Sequence, residues 1–311
     1  MSAVRVGSGR LCAWHSWGGR RGMRPGRFEE LNLFSTVRRY RPGLLILPGF
    51  LLVAVLFAWP VAQLVGTSFS DKQGALVHYE RLFSEPIYIT VISRTLLISA
   101  ATAVLCAVLG YPLAYQLTRS GPIGKALILL CILIPFWTNL LVRTYGWIIL
   151  LNPQGIINGL LRQAGVVEHS VPLVYNTAGV LIGMTQIMLP YMVLPLAAVM
   201  SRIDPSIMNA GRSLGATPLK AFFKVYLPLT VPGLLAGSLL VFMISLGFFV
   251  IPALLGGPRN LLLAQLIEFN INHTLNWPFA AALSTVLLVA TVLLYWIGDR
   301  FFDLGKLWGG R

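Results

Sequence analysis

Asn209-Ala-Gly-Arg-Ser-Leu-Gly215-Ala216, followed by Val225-Tyr-Leu-Pro228, lies between two long apolar stretches of a 311-residue chain. Its surroundings define a compact shape. Asp204-Pro205 reads as a helix start, with Asp204 as the N-cap and Pro205 at the first helical position. Residues 206–214 suit a short helix that ends at Gly215, because glycine lets the backbone turn or approach another chain closely. Thr217-Pro218 opens a second helical stretch, with Phe222 and Phe223 as apolar anchors and Lys220 and Lys224 as charges. Leu227-Pro228 and Val231-Pro232 lead into the next apolar run, where proline marks a break. Two short helices around a glycine hinge make a foot of the kind that fills a groove on another protein. An amphipathic loop between two spans is the plainer alternative.

The flanking sequence is that of a membrane protein. Hydrophobic residues make up 56% of the chain and charged ones 11%, against roughly 25% charged in soluble domains. The apolar residues fall in runs of about 20, the length that crosses a bilayer as a helix. Six such spans are expected, near 44–65, 89–117, 126–151, 178–200, 229–255 and 280–297. Helices leave no backbone group unpaired in lipid, so the expected fold is all-α, a six-helix transmembrane bundle over residues 44–311. Residues 1–43 form a separate Arg- and Gly-rich tail with the composition of disordered chain.

A net charge of +14 would suit a nucleic-acid binder, but the charges are distributed otherwise. Of 24 Lys and Arg, nine lie in the tail, two near Arg119 and Lys125, four at 201–224 and three after Asp299. These alternate regions hold 18; the opposite loops hold four, Lys72, Arg81, Arg162 and Arg259. The excess of basic residues on one side orients a membrane protein, so both termini and the Asn209 loop are expected in the cytoplasm, with no nucleic-acid partner. The first span is longer than the core of a signal peptide and lacks a small-residue cleavage site, so it reads as an uncleaved helix. Met23 offers an internal start that would shorten the tail without touching a span. Cys12, Cys106 and Cys131 give no disulfide framework. His15, His78, His169 and His273 have no ligand spacing, so neither metal nor cofactor is expected.

Two spans carry unusual residues. The third contains Pro135-Phe-Trp-Thr-Asn-Leu-Leu-Val-Arg143. On a continuous helix, at about 100° per residue, Phe136, Asn139, Arg143 and Trp147 fall within about 80° of one face. Polar groups inside a membrane are costly and face protein or a watery cavity. This stripe therefore reads as lining a translocation path. Alternatively, Arg143 snorkels to the surface and Trp147 belongs to the interfacial belt. The fifth span closes with Gly247-Phe-Phe-Val-Ile-Pro252, an interruption of the kind that marks transporter sites, which adds Phe248 and Phe249 to the candidates. A kinked packing helix is the alternative there.

The spacing of the opening stretch resembles the EAA loop of ABC importer membrane subunits, which reads Glu-Ala-Ala, three residues, Gly, nine residues, Ile, one residue, Leu-Pro. Gly215, Val225 and Leu227-Pro228 fall in that spacing without a gap, with Asn209 for Glu, Gly211 for Ala and Val225 for Ile. The first departure removes a charge. Gly110-Tyr-Pro-Leu-Ala-Tyr115, Pro135-Phe-Trp-Thr-Asn-Leu-Leu-Val-Arg-Thr-Tyr145, Ile182-Gly-Met-Thr-Gln-Ile-Met-Leu-Pro190 and Trp277-Pro-Phe-Ala-Ala-Ala282 look like the first permease subunit of spermidine/putrescine importers. The resemblance implies a type I importer permease of the inner membrane. In that reading Asn209, Ala210, Gly211, Gly215, Ala216, Val225, Leu227 and Pro228 belong to a loop, about 204–228, that meets a cytoplasmic ATP-binding subunit. It further implies a second permease subunit, as a heterodimer, and a periplasmic solute-binding protein. The chain itself is then no enzyme. Gly121-Pro-Ile-Gly-Lys125 lacks the spacing of a phosphate loop, so hydrolysis belongs elsewhere. Polyamine is the expected substrate. Opines, amino-acid-like or other organic solutes remain alternatives, because Ala253 stands where relatives often carry an acid before Leu-Leu-Gly-Gly. A stand-alone secondary transporter would need intramembrane acids and inverted repeats, and the sequence offers neither.

Overall fold

The computed structural model describes residues 42–70, 74, 76–204, 206–213, 215–257 and 260–302. Residues 1–41 of the basic tail, Met23 included, lie outside them. The described residues are helical, with no strand among them. In chain order the helices are α1 (Pro42–Ser68), α2 (Val77–Ser84), α3 (Pro86–Arg119), α4 (Pro122–Trp137), α5 (Leu140–Leu151), α6 (Ile156–Gln163) and α7 (Thr177–Met200). Then follow α8 (Ser206–Ser213), α9 (Pro218–Ala221), a π-helical turn (Phe222–Tyr226), α10 (Leu227–Leu246), α11 (Val250–Leu255), α12 (Leu263–Asn272) and α13 (Trp277–Phe302). Among the described residues five helices are long and apolar enough to cross a membrane, and six spans result if α4 and the segment after it count as one.

The chain divides at Phe57 and Ala58 into two units. In the first, only the start of α1 is described; α1 is apolar on every side, as a helix surrounded by lipid would be. The second unit is built on α3, α7 and α10, which pack along one another. Lipid is as apolar as leucine, so what holds such helices together is close packing rather than the exclusion of water. Met192 of α7 is fully buried where they meet. A Cβ at Gly110 of α3 would stand 2.9 Å from Met192 Cγ, and one at Gly237 of α10 would stand 2.8 Å from its Sδ. Glycine at both positions is what lets two backbones close on the same thioether.

Two spans depart from expectation. The third is not one helix: α4 stops at Trp137, α5 starts at Leu140, and the chain bends by 102° between them. Pro135 lies in the last turn of α4, and Asn139 caps α5 through its side chain, which accepts the Leu141 N–H at 2.8 Å. A proline followed by a strong N-cap residue ends one helix and starts another, and the apolar run masks that signal. The fifth span ends at Leu246, with Gly247 to Phe249 separating it from α11. No break occurs at Leu227-Pro228. The helix continues from Pro218 to Leu246 through the π-turn, whose wider ring gives room for a proline that cannot donate to the preceding turn.

Candidate functional site

Between Asp204 and Pro228 the described residues form two short helices, α8 and α9, on either side of Gly215, a segment called the foot below. The Asp204 carboxylate accepts the Ser206 backbone N–H at 2.8 Å, and the Asp204 carbonyl accepts the Ile207 N–H at 3.1 Å. The bond from Ser206 holds the Asp204 carboxyl below the usual carboxylate range. On α8, Ile207 and Met208 are half-buried, while Ser206, Asn209 and Ser213 face outward; Ala210 and Gly211 belong to the same helix. Gly215 has φ +83°, and beyond its chain neighbours no atom of the described residues lies within 4 Å of where its Cβ would stand. Glycine is there for the left-handed turn, and the space beside it is open. Thr217 caps the second helix by accepting the Lys220 N–H at 3.4 Å. Ala216, Val225 and Leu227 are half-buried and Pro228 is exposed.

A cluster of rings fastens this foot to α3. Phe222 meets Tyr111 edge-on at 6.0 Å between centroids and Tyr115 edge-on at 5.9 Å. Tyr226, 4% exposed, meets Tyr115 edge-on at 5.4 Å and lies nearly parallel to Phe222 at 5.8 Å. The Arg119 guanidinium sits 4.5 Å from the Tyr115 centroid and 5.7 Å from that of Tyr226. Each ring pair adds about 0.5–1.5 kcal/mol beyond its buried area. Sequence reading had Phe222 and Phe223 as anchors. Phe222 is one, Phe223 is exposed, and the reading missed Tyr111, Tyr115, Arg119 and Tyr226.

The candidate path residues do not form one stripe, because the third span is broken. Phe136 belongs to α4 and packs edge-on against Tyr191 of α7 at 5.8 Å. Asn139 is spent on capping α5. Arg143 turns back across the break, donating from Nη2 to the Thr138 carbonyl at 3.1 Å, and its Nε has no hydrogen-bond partner among the described residues. Trp147 donates to Gln186 Oε1 of α7 at 3.4 Å. Phe248 packs against the core and Phe249 is 37% exposed. A cavity of about 760 Å³ opens between α3, α4 and α7, lined by residues such as Leu109, Cys131, Trp147 and Gln186. Phe136, Asn139, Arg143, Phe248 and Phe249 do not line it, whereas Trp147, the fourth residue of the expected stripe, does.

Residues 107–303 match the family of binding-protein-dependent transport system inner membrane components. The chain belongs to that family. The chain is 35% identical to the spermidine/putrescine transport system permease protein PotB of Escherichia coli K12, over 80% of its own length and 94% of that protein's. PotB of Haemophilus influenzae is 32% identical, over 81% and 94% of the two chains. Among solved structures, a permease chain of the bacterial alginate ABC transporter, crystallised with its pentasaccharide-bound periplasmic protein, superimposes with a TM-score of 0.69. It is 15% identical and matches 86% of this chain and 96% of that one. This likeness establishes a shared fold.

The protein is thus a multi-pass permease subunit of a binding-protein-dependent importer, with the type I importer fold. Permeases of this family work with separate ATP-hydrolysing and solute-binding proteins. The matched region begins within α3 and takes in both partners of the ring cluster. Gln186 lies in a stretch the sequence singled out without assigning it a role. Its side chain becomes legible only once α5 is seen to fold back toward α7.

Proposed function

We propose that this permease forms half of a polyamine import path, with its 204–228 foot seated on a cytoplasmic ATP-binding subunit. The observation that carries the coupling role is Gly215: a left-handed glycine with open space beside it, at the centre of a foot whose outer residues are exposed. An exposed surface held in that shape, with open space beside Gly215 among the described residues, suits a groove on a partner. The basic asymmetry of the loops supports cytoplasmic termini and a cytoplasmic foot. A second, different permease subunit completes the path, and a periplasmic binding protein delivers the solute from the far side. Phe136, Asn139 and Arg143 at the α4–α5 break, with Phe248 and Phe249 at the α10–α11 break, face that path in this reading.

Spermidine and putrescine are supported as substrates by the identity with PotB over nearly the whole of that protein. One observation favours a neutral or anionic solute instead. Ala253, exposed on α11, offers no carboxylate to a dication, and Arg143 at the α4–α5 break would repel one on a path that it faces. Aromatic faces can bind a cation without an acid. The test is uptake of labelled spermidine and putrescine by a polyamine-uptake-deficient host expressing this chain with the cognate ATPase, second permease and binding protein of its importer. Saturable uptake competed by unlabelled polyamine is expected. Uptake of an opine or amino acid with no polyamine transport would overturn the substrate assignment while leaving the coupling role intact.

A further inference from the structure

The rings that hold the foot are arranged as two matching ladders. On α3, Tyr111, Tyr115 and Arg119 recur every four residues; on the other strand of the joint, Phe222, Tyr226 and Thr230 do the same. Residues four apart lie above one another on one face of a helix. The two faces interlock, with Phe222 between Tyr111 and Tyr115, Tyr226 against Tyr115 and Arg119, and the Tyr111 hydroxyl 3.0 Å from that of Thr230.

The second ladder begins in the π-turn. The Leu227 N–H bonds to the Phe222 carbonyl five residues back, so the foot joins α10 through a turn that is wider than α. Such turns recur at functional positions. Elsewhere the core around α3, α7 and α10 is aliphatic and methionine-rich, with Met184, Met188 and Met192 fully buried. Those side chains slide and repack easily. Rings meeting edge to face do not, because the attraction depends on the angle between them. The joint is therefore stiff where the core is compliant.

We propose that the interlocked ladders are a transmission joint, by which displacement of the foot reaches α3 and α10 as a movement of one rigid body. The proposal rests on the coupling role of the foot, and makes Tyr115 a positioning residue. Within the joint it contacts Phe222, Tyr226 and Arg119 at once.

The test uses the assembled importer in membranes or proteoliposomes. Tyr115→Ala should leave the ATPase subunit co-purifying and hydrolysing ATP, while solute moved per ATP falls by roughly tenfold or more, as loss of a coupling between sites allows. Tyr115→Phe, which keeps the ring, should restore the wild-type ratio. Unchanged stoichiometry in Tyr115→Ala would overturn the proposal. Loss of ATPase co-purification would also overturn it, by making the ladders a support for the foot's fold; the coupling role would then stand. Loss of the foot's own role would appear separately, as normal uptake by Gly215→Asp. Should Tyr115→Ala fail to accumulate, Tyr115→Cys with Phe222→Cys, in a chain whose native cysteines are replaced by alanine, provides a second test. A short bis-methanethiosulfonate reagent, which forms a mixed disulfide with each cysteine and releases sulfinate, should restore transport per ATP by replacing the ring contacts. Crosslinking that leaves the pair uncoupled would contradict a rigid joint.

Discussion

Where the foot meets α3, four rings and a guanidinium hold two segments of chain in one relation. At the α4–α5 break the polar groups are held far more loosely: Asn139 caps a helix, and Arg143 makes one bond to a carbonyl while its Nε finds no partner among the described residues. The first region suits a part that must carry force, since directional contacts resist rotation. The second suits a part that changes partners, since little is lost when Arg143 moves. The difference lies in how completely each side chain is satisfied, and a gated path needs both kinds of region.

Gly215→Asp should break the first region with the largest effect. At φ +83° any L side chain is strained, by about 1–2 kcal/mol, and the added carboxylate would enter the open face of the foot. Uptake should be abolished and ATPase co-purification lost, with membrane insertion unchanged on immunoblots. Normal uptake would remove the foot's assigned role. Smaller effects should separate the two regions at the α4–α5 break. Asn139→Ala should cost about 0.5–2 kcal/mol of stability through the lost cap, read as a lower melting temperature in detergent. Arg143→Ala should cost less stability and change solute affinity more. Because Thr138 and Asn139 are both exposed at the break, cysteines at either position should react alike with polar thiol reagents. Selective reaction at Asn139 would restore the continuous-helix stripe. The smallest effect belongs to Asp204. Its folded-state pKa is lowered, so its cap contributes above the unfolded-state value and is lost as pH falls through the folded one. Asp204→Asn should flatten the acid side of the foot's pH dependence, followed by protease sensitivity of the loop.

Local signals in the sequence carried much of this. Asp204 and Thr217 cap helices because their side chains reach the next turn, and Gly215 turns left because other residues resist that angle. Four spans are long apolar helices near the expected bounds. The helical stripe through Phe136, Asn139, Arg143 and Trp147 failed because it assumed one continuous helix, although Pro135 and Asn139 both signalled a stop. The ladders were present as spacings of four in two separate stretches. Nothing local pairs Tyr111 with Thr230, 119 positions away, and only the packing of α3 against α10 brings them together.

The most direct test of the account is a contact between the foot and the ATPase. In a chain with its native cysteines replaced, Asn209→Cys should crosslink to the ATPase subunit in membranes, with a yield that changes when nucleotide is trapped. A cysteine at Leu275, in the exposed turn between α12 and α13, should give no such product. Crosslinking from Leu275 and none from Asn209 in any nucleotide state would contradict both the orientation and the coupling role.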